Sequence, residues 1–230
     1  MNKRPLQFAI VLSGCGVKDG SEIHEAVLTM LAVRRASAAY QCFAPDVTQH
    51  HVTNHLTGKT TEEVRNCLVE SARIARGDIF PLNEFDAAKF DALIFPGGYG
   101  AATNLCTFAV DGAGCRVNKD VEAAVKAMTA QAKPIGALCI APVILGKLLS
   151  AVKLTVGDDQ DVNAALAKMG AATQDTGHGQ VVIDYEHKIV TAPCYMLEST
   201  IDQIADGAER CVKALIQLVE KAPVSAGKIQ

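Results

Sequence analysis

Residues 133–142 read KPIGALCIAP, in which a short apolar run ends at Cys139 and a helical pattern begins. A cysteine at such a strand-to-helix turn directs its sulfur towards the helix N-terminus, where free N–H groups and the helix dipole favour the thiolate. The pattern therefore predicts an activated nucleophile whose pKa lies well below the ordinary thiol value. The alternative for this segment alone is a buried, unreactive cysteine, because free cysteines are often buried.

The segments around Cys139 alternate between strand-like and helix-like patterns, without linkers or internal repeats. Strands are expected at residues 7–13, 40–44 and 92–95, in the apolar run that ends at Cys139, near residue 154, and in a hairpin of 181–184 with 188–191. Helices are expected at residues 21–35, 60–75, 118–131, from Cys139 to about 149, 160–169 and 198–219. This order predicts an α/β fold with a mostly parallel sheet between two helical layers.

Two helix starts can be assigned in more detail. Ser21 is the expected cap of the first helix, in which Ile23, Val27, Met30 and Leu31 share one face. The segment Thr60–Glu63 resembles a capping box at the start of the second helix.

The composition limits the classes of protein to which the chain can belong. It has 230 residues, a hydrophobic fraction of 49%, and a net charge of −3 from 22 basic and 25 acidic side chains. No block of like charge favours nucleic acid or an anionic membrane. No apolar stretch approaches the roughly 20 residues that span a bilayer. We therefore expect one domain over residues 1–230, with no nucleic-acid or membrane partner.

The cysteine content favours a reducing compartment. The chain contains Cys15, Cys42, Cys67, Cys106, Cys115, Cys139, Cys194 and Cys211, with no CxxC pair and no metal-ligand spacing. Reduced thiols in a cytoplasmic protein are the expected state. A lipoprotein cleavage box ending at Cys15 is the weaker alternative, because the preceding apolar run is short for a signal peptide.

Further candidates for catalysis fall at the carboxyl ends of predicted strands, where ligands bind in parallel sheets. Gly97 and Gly98 follow the 92–95 strand, and the N–H groups of Gly98 and Ile140 could form an oxyanion hole. Glu22 and Glu25 lie in the first turns of the first helix, three residues apart. A half-buried carboxyl beside a thiol should have a raised pKa, which suits proton transfer.

Four motifs together resemble the ElbB (isoprenoid biosynthesis, or sigma cross-reacting protein) family of the PfpI/ThiJ class I glutamine amidotransferase-like superfamily. They are SGCGV at 13–17, DGSEIHEA at 19–26, NHLTG at 54–58 and CIAP at 139–142, and the resemblance covers nearly the whole chain. It implies a flavodoxin-like fold, a cytosolic homodimer, and glyoxalase-type activity on small dicarbonyls. It implies no metal, no glutathione and no other cofactor.

The same resemblance assigns roles to individual residues. Cys139 matches the family nucleophile, and Gly98 and Ile140 match its oxyanion donors, with Gly97 beside them. Glu25 is the first choice for the family glutamate and Glu22 the second. Asn54 and His55 match a family motif that implies substrate binding.

Two departures from the superfamily pattern restrict the reaction. Ile140 follows the nucleophile where many relatives have a histidine, and Ala141 stands where amidotransferases have glycine. Both argue against glutamine hydrolysis. The remaining hypothesis is that Cys139 adds to an aldehyde, that Glu25 moves a proton through an enediol, and that the thioester is hydrolysed to a 2-hydroxy acid.

Three other interpretations remain open. The glycines of residues 14–20 with Asp46 weakly resemble a dinucleotide-binding fingerprint. Cys139 could instead be an oxidation sensor in a non-enzymatic interaction protein. Metal binding by the histidines at 50, 51 and 55 is disfavoured, since no carboxylate or cysteine completes a regular ligand set. Cys194 also follows a predicted strand and could approach the same cleft, although packing is the simpler role.

Overall fold

The computed structural model describes residues 4–220. Its strands are β1 Gln7–Val11, β2 Ala39–Ala44, β3 Val52–Thr53, β4 Thr60–Thr61, β5 Ile79–Pro81, β6 Ala92–Phe95, β7 Ile135–Leu138, β8 Lys153–Leu154, β9 Ala172–Thr173, β10 Val182–Asp184 and β11 Ile189–Ala192. Its α-helices are α1 Ile23–Arg35, α2 Cys67–Ala75, α3 Tyr99–Thr103, α4 Phe108–Asp111, α5 Lys119–Ala130, α6 Pro142–Leu148, α7 Gln160–Lys168 and α8 Ile201–Glu220.

Seven strands form the central sheet, in the order β10-β11-β7-β6-β1-β2-β5. Neighbouring strands are parallel except for β10 and β11, which form an antiparallel hairpin. The carboxyl ends of β1, β6, β7 and β11 therefore lie side by side at one edge of the sheet. This edge is where an α/β sheet binds its ligands.

Both faces of the sheet are buried under helices. Ala9 and Val11 of β1 belong to the core under α5, α6 and α7. Phe8 of the same strand packs with α1 and α8, and Ile10 packs with α1 and α2. The strand is apolar on both faces because helices cover it from both sides. The predicted α/β, flavodoxin-like fold class is confirmed.

The second predicted helix begins seven residues later than expected. Thr60 and Thr61 form β4, which pairs antiparallel with β3, and α2 begins only at Cys67, where Asn66 provides the capping side chain. β-branched threonines fit a strand better than a helix start, so the apparent capping box was misleading.

The predicted details of α1 are also partly wrong. Glu22 caps this helix, because the Ser21 hydroxyl instead accepts a hydrogen bond from the Ser13 N–H at 2.8 Å. Ile23, Val27 and Leu31 are at least 40% exposed, whereas only Met30 of the predicted face is buried. The small side chains of Ala26, Ala32 and Val33 face the core, and they allow α1 to pack closely on the sheet.

The short strands β3, β5 and β9 and the short helices α3 and α4 were not predicted. Within residues 4–220 no helix is both long and apolar enough to cross a membrane.

Candidate active site

Cys139 lies in a strained turn between β7 and α6. Its φ of 57° falls in the left-handed region that non-glycine residues rarely adopt. Its N–H donates to the Ala192 carbonyl of β11 at 2.9 Å, which fixes the turn to the sheet. The side chain is 7% exposed. Such strain persists only where the surrounding structure holds it, and it is concentrated at functional sites.

Glu25 is the acidic side chain that reaches Cys139. Its carboxyl is fully buried and shares a hydrogen bond with the Cys139 thiol. Oε2 accepts from the Gly97 N–H at 2.8 Å, and Oε1 accepts from the Tyr195 N–H at 3.2 Å. Segments following β6, β7 and β11 thus converge on one carboxyl from α1.

Position 97 requires glycine because Cys139 and Glu25 leave no space there for a side chain. A Cβ atom added there would meet Cys139 Cβ, and would lie 2.7 Å from Glu25 Oε2 and 3.0 Å from Cys139 Sγ. The Gly97 N–H donates its hydrogen bond to Glu25, so it is not available as an oxyanion donor. The N–H groups of Gly98 and Ile140 are the ones directed at the sulfur of Cys139.

Burial raises the pKa of Glu25 from 4.5 to about 7, and the nearby Glu22 carboxylate adds to the rise. The N–H groups of Gly97 and Tyr195 lower it, but by less. A carboxyl with this pKa changes its protonation state near neutral pH, as a general base or acid requires.

The pKa of Cys139 departs from the sequence prediction. Burial raises it well above the ordinary thiol value, and the Glu25 carboxylate raises it further. The N–H groups of Gly98 and Ile140 oppose this rise without reversing it. The prediction of a depressed pKa is therefore wrong, because desolvation outweighs the N-terminus of a seven-residue helix. By contrast the pKa of Cys115 falls to about 7, through a hydrogen bond with Cys106.

Glu22 has a different position from Glu25. Its Oε2 accepts from the Glu25 N–H at 2.7 Å, and its own N–H donates to the Gly97 carbonyl at 2.9 Å. The carboxylate caps α1 and does not accept from the thiol. Glu22 therefore positions Glu25 and raises its pKa.

A cavity of about 300 Å³ opens beside the thiol. Its lining is mostly apolar: Val17, Gly98, Tyr99, Ala102, Phe108, Ala109, Cys139, Ile140, Asp159, Val162, Tyr195 and Met196. Its volume is at the lower end of small-molecule sites, so it suits a compact substrate.

Asn54 and His55 lie outside this cavity. The Asn54 side chain accepts from the N–H groups of Leu56 and Thr57, which stabilises a turn. The His55 ring lies 3.2 Å from the Lys18 N–H and binds the first loop. The structure therefore does not bring either residue to Cys139.

Packing can be compared with three of the open alternatives: the dinucleotide fingerprint, the position of Cys194 and a metal site. The glycine loop after β1 is filled by its own backbone, since a Cβ on Gly20 would collide with the Cys15 nitrogen. Asp46 is exposed, and its side chain accepts from the Asn66 side chain at 2.7 Å. Cys194 is buried against α8, close to Gly207. Among residues 4–220 no group of three or more His, Cys, Asp or Glu side chains could hold a metal ion.

Tyr195 is a site residue that the sequence reading missed. Its N–H binds Glu25, and its hydroxyl lies 2.8 Å from Nδ1 of His24. The available signal was its position just beyond the end of β11, the same sheet edge at which Cys139 was expected.

The comparisons with known proteins agree with this geometry. The model of the DJ-1/PfpI family matches residues 17–195. The chain belongs to the DJ-1/PfpI family. An isoprenoid biosynthesis protein with an amidotransferase-like domain from Ehrlichia chaffeensis has a similar solved structure, with a TM-score of 0.86 and 35% identity over 92% of this chain and 99% of that one. The predicted family resemblance is confirmed.

Two curated relatives contradict the predicted location. The human glutamine amidotransferase-like class 1 domain-containing protein 3, mitochondrial, is 47% identical over 94% of this chain and 84% of its own length. The rat ES1 protein homolog, mitochondrial, is 46% identical over 94% of this chain and 85% of its own length. The prediction of a cytoplasmic protein is wrong by this comparison, because these names point to the mitochondrion.

Proposed function

We propose that the protein is a cofactor-free, glyoxalase-type enzyme that converts small dicarbonyls such as glyoxal and methylglyoxal to 2-hydroxy acids. The observation that carries the proposal is the hydrogen-bonded pair of Cys139 and Glu25, with the pKa of Glu25 at about 7. A buried thiol beside a titrating carboxyl can lose its proton as it attacks. No preformed thiolate is then needed.

The reaction follows from this arrangement. The sulfur of Cys139 bonds to the aldehyde carbon while its proton passes to ionised Glu25. The N–H groups of Gly98 and Ile140 are close enough to the sulfur to stabilise the resulting oxyanion. Glu25 then returns its proton to that oxygen. It next removes the proton on the former aldehyde carbon and passes it to the neighbouring carbonyl oxygen, which gives the enediol. Finally it takes the hydroxyl proton from the sulfur-bearing carbon and delivers it to the neighbouring carbon, which gives the thioester of the 2-hydroxy acid. Water hydrolyses the thioester, which releases the 2-hydroxy acid and restores the thiol.

The walls of the cavity beside Cys139 favour a small carbonyl group over glutamine. The walls of the cavity are mostly apolar, and Asp159 is their acidic residue. Ile140 and Ala141 replace the residues expected of an amidotransferase. Glutamine hydrolysis therefore has no support in this site.

The direct test is turnover of methylglyoxal to lactate by purified protein, compared with Cys139→Ala. Formation of lactate that disappears in Cys139→Ala supports the proposal. Equal lactate formation by both proteins, or none by either at high enzyme concentration, would reject it.

A second candidate function, oxidation sensing, is favoured by one observation. The donors that surround the Cys139 sulfur would also bind the oxygens of a sulfinate, which is a stable oxidation product of cysteine. A sensor would form this product with two equivalents of peroxide, by way of the sulfenic acid, and would show no dicarbonyl turnover. Mass spectrometry of the peroxide-treated protein together with the lactate assay separates the two functions.

We also propose that the protein is a homodimer through α1. Ile23, Val27 and Leu31 recur every four residues, so they form one apolar stripe that is at least 40% exposed. Contiguous apolar surface of this kind marks association sites. Sedimentation of the wild type as a dimer and of Val27→Lys as a monomer would support this surface, and a monomeric wild type would reject it.

A further inference from the structure

A second cavity adjoins the one beside Cys139. Its volume is about 430 Å³, and it is lined by Lys18, His50, His51, Thr53, Gly58, Thr60, Tyr99, Thr103, Ala109 and Val110. Tyr99 and Ala109 line both cavities. Tyr99 is 59% exposed, so its ring is not packed into the core between them.

The chemistry of this second cavity differs from that of the first. Its polar lining consists of an ammonium group, two imidazoles and the hydroxyls of three threonines and a tyrosine. The Thr103 hydroxyl already donates to the Tyr99 carbonyl at 2.9 Å, so the other hydroxyls remain as donors. Within residues 4–220 none of the lining residues is acidic, and Lys18 takes part in no ion pair. A cation among hydroxyl donors, without a carboxylate, is suited to an anion.

The backbone of Lys18 is held from two sides. Its N–H donates to Nε2 of His55 at 3.2 Å, and its carbonyl accepts from Nε2 of His51 at 3.0 Å. The Nδ1 of His55 in turn donates to the Thr53 carbonyl at 3.0 Å. The histidines therefore fix the loop after β1 to the β3–β4 hairpin and determine where the lysine side chain begins.

The turn of this hairpin leaves space for the ammonium group. Gly58 has a φ of +72°, and a Cβ atom there would lie 3.4 Å from Nζ of Lys18. Asn54 stabilises the turn through the N–H groups of Leu56 and Thr57. The NHLTG motif thus borders the second cavity through Gly58 and does not line the cavity beside Cys139.

We propose that this second cavity binds an anionic group, a carboxylate or a phosphate, at the far end of a dicarbonyl substrate whose aldehyde reaches Cys139. The inference rests on the proposed function and specifies its substrate class: 2-oxoaldehydes with an anionic tail. The tail passes along the shared wall of Tyr99 and Ala109, and Lys18 supplies the charge that holds it.

The kinetic test compares two substrates with the same reacting group. Methylglyoxal is neutral, whereas 4,5-dioxopentanoate carries a carboxylate on a short tail. We expect kcat/KM to be at least tenfold higher for 4,5-dioxopentanoate, and Lys18→Met to bring the ratio to about one, consistent with an ion pair of about 1.4 kcal/mol. The control Lys59→Met removes an exposed lysine outside the cavity and should keep the ratio. A wild-type ratio near one, or its retention in Lys18→Met, would overturn the inference.

A binding experiment separates this inference from the proposed function. Inorganic phosphate and acetate are titrated separately into ¹⁵N-labelled protein, to distinguish the two anions. One of them should shift the amide signals of Gly58, Thr60 and Thr103, in wild type and Lys59→Met but not in Lys18→Met. Absence of these shifts overturns the anion site even if methylglyoxal is turned over. Shifts without any dicarbonyl turnover would reject the proposed function and leave the anion site supported.

Discussion

At the residue scale, the chemistry depends on one proton placed between two buried groups. Cys139 and Glu25 share a hydrogen bond, and burial disfavours the charged form of each. Glu25 has the lower pKa of the two, at about 7, so the charge near neutral pH resides on the carboxyl. Glu25 is therefore the base for the attack by the thiol.

Replacement of Glu25 should abolish most of this catalysis. Glu25→Gln retains the size of the side chain but cannot accept a proton. We expect kcat for methylglyoxal to fall about a hundredfold or more, within the usual range for general acid–base groups. Lactate formation by the purified variant measures the loss.

Glu22→Gln is the matched control for that substitution. Its amide oxygen can still accept from the Glu25 N–H, so the loss should be smaller than for Glu25→Gln. If Glu22→Gln were the more damaging change, the assignment of the two glutamates would have to be exchanged.

The pH profile should also report the protonation of Glu25. Because the base must be ionised, kcat/KM should rise with pH and reach its half-maximal value near pH 7. Glu22→Gln removes a neighbouring negative charge that raises the pKa of Glu25, so its midpoint should move to lower pH. A profile that is flat between pH 5 and 8 would contradict the role of Glu25 as the base.

The identity of the site residues was more predictable than their electrostatics. Cys139 could be selected because it follows a predicted strand. The helix start offered both Glu22 and Glu25, and the family resemblance favoured Glu25. The raised pKa of Cys139 could not be predicted, because it results from burial by segments distant in the sequence. The positions of Asn54 and His55 could not be predicted either, because the β3–β4 hairpin determines their hydrogen-bond partners.

At the scale of the elements, the β6–α3 turn is the most constrained connection. Gly97→Ala would place a methyl group against Cys139 and Glu25. We expect loss of activity and a decrease in the free energy of unfolding of about 1–3 kcal/mol, the usual cost of overpacking. Urea unfolding and the lactate assay measure both effects.

Gly114→Ala provides the control, since a Cβ atom there would meet nothing within 4 Å. It should leave both activity and stability close to those of the wild type. Full activity of Gly97→Ala would show that the turn can relax away from Cys139 and Glu25.

The elements that the sequence predicted well are those with clear local signals at their ends. The strand at 92–95 was placed correctly, and α5 and α7 agree within one residue at each end. The start of α2 was wrong because Thr60 and Thr61 pair with β3, a contact that a local pattern does not contain. The exposed stripe of α1 was assigned to the core because periodicity identifies an apolar face but not its partner.

At the scale of the whole molecule, the parallel sheet assembles the site. The segments that follow β6, β7 and β11 are far apart in the chain, yet all contact Glu25 or Cys139. Alternation of strands and helices predicted this common edge. It could not predict which backbone N–H would bind which oxygen, because that depends on the register of neighbouring strands.

The buried Glu25 should also make the stability of the whole protein depend on pH. Its pKa is about 7 in the folded protein and about 4.5 in the unfolded chain. Between these values the folded state keeps a proton that the unfolded state has lost, so raising the pH favours unfolding. The contribution of Glu25 to the free energy of unfolding is fully present below pH 4.5 and is lost as the pH rises through 7. The total loss is about 3 kcal/mol.

Glu25→Gln removes this titration, so its free energy of unfolding should fall less than that of the wild type between pH 5 and pH 8. Urea unfolding at the two pH values measures the difference, and other titrating groups cancel in the comparison. Glu186→Gln, at an exposed position, should retain the wild-type dependence. If Glu25→Gln and the wild type lost equal stability over this range, Glu25 would not hold its proton near neutral pH, and its proposed role as the base that titrates there would fail.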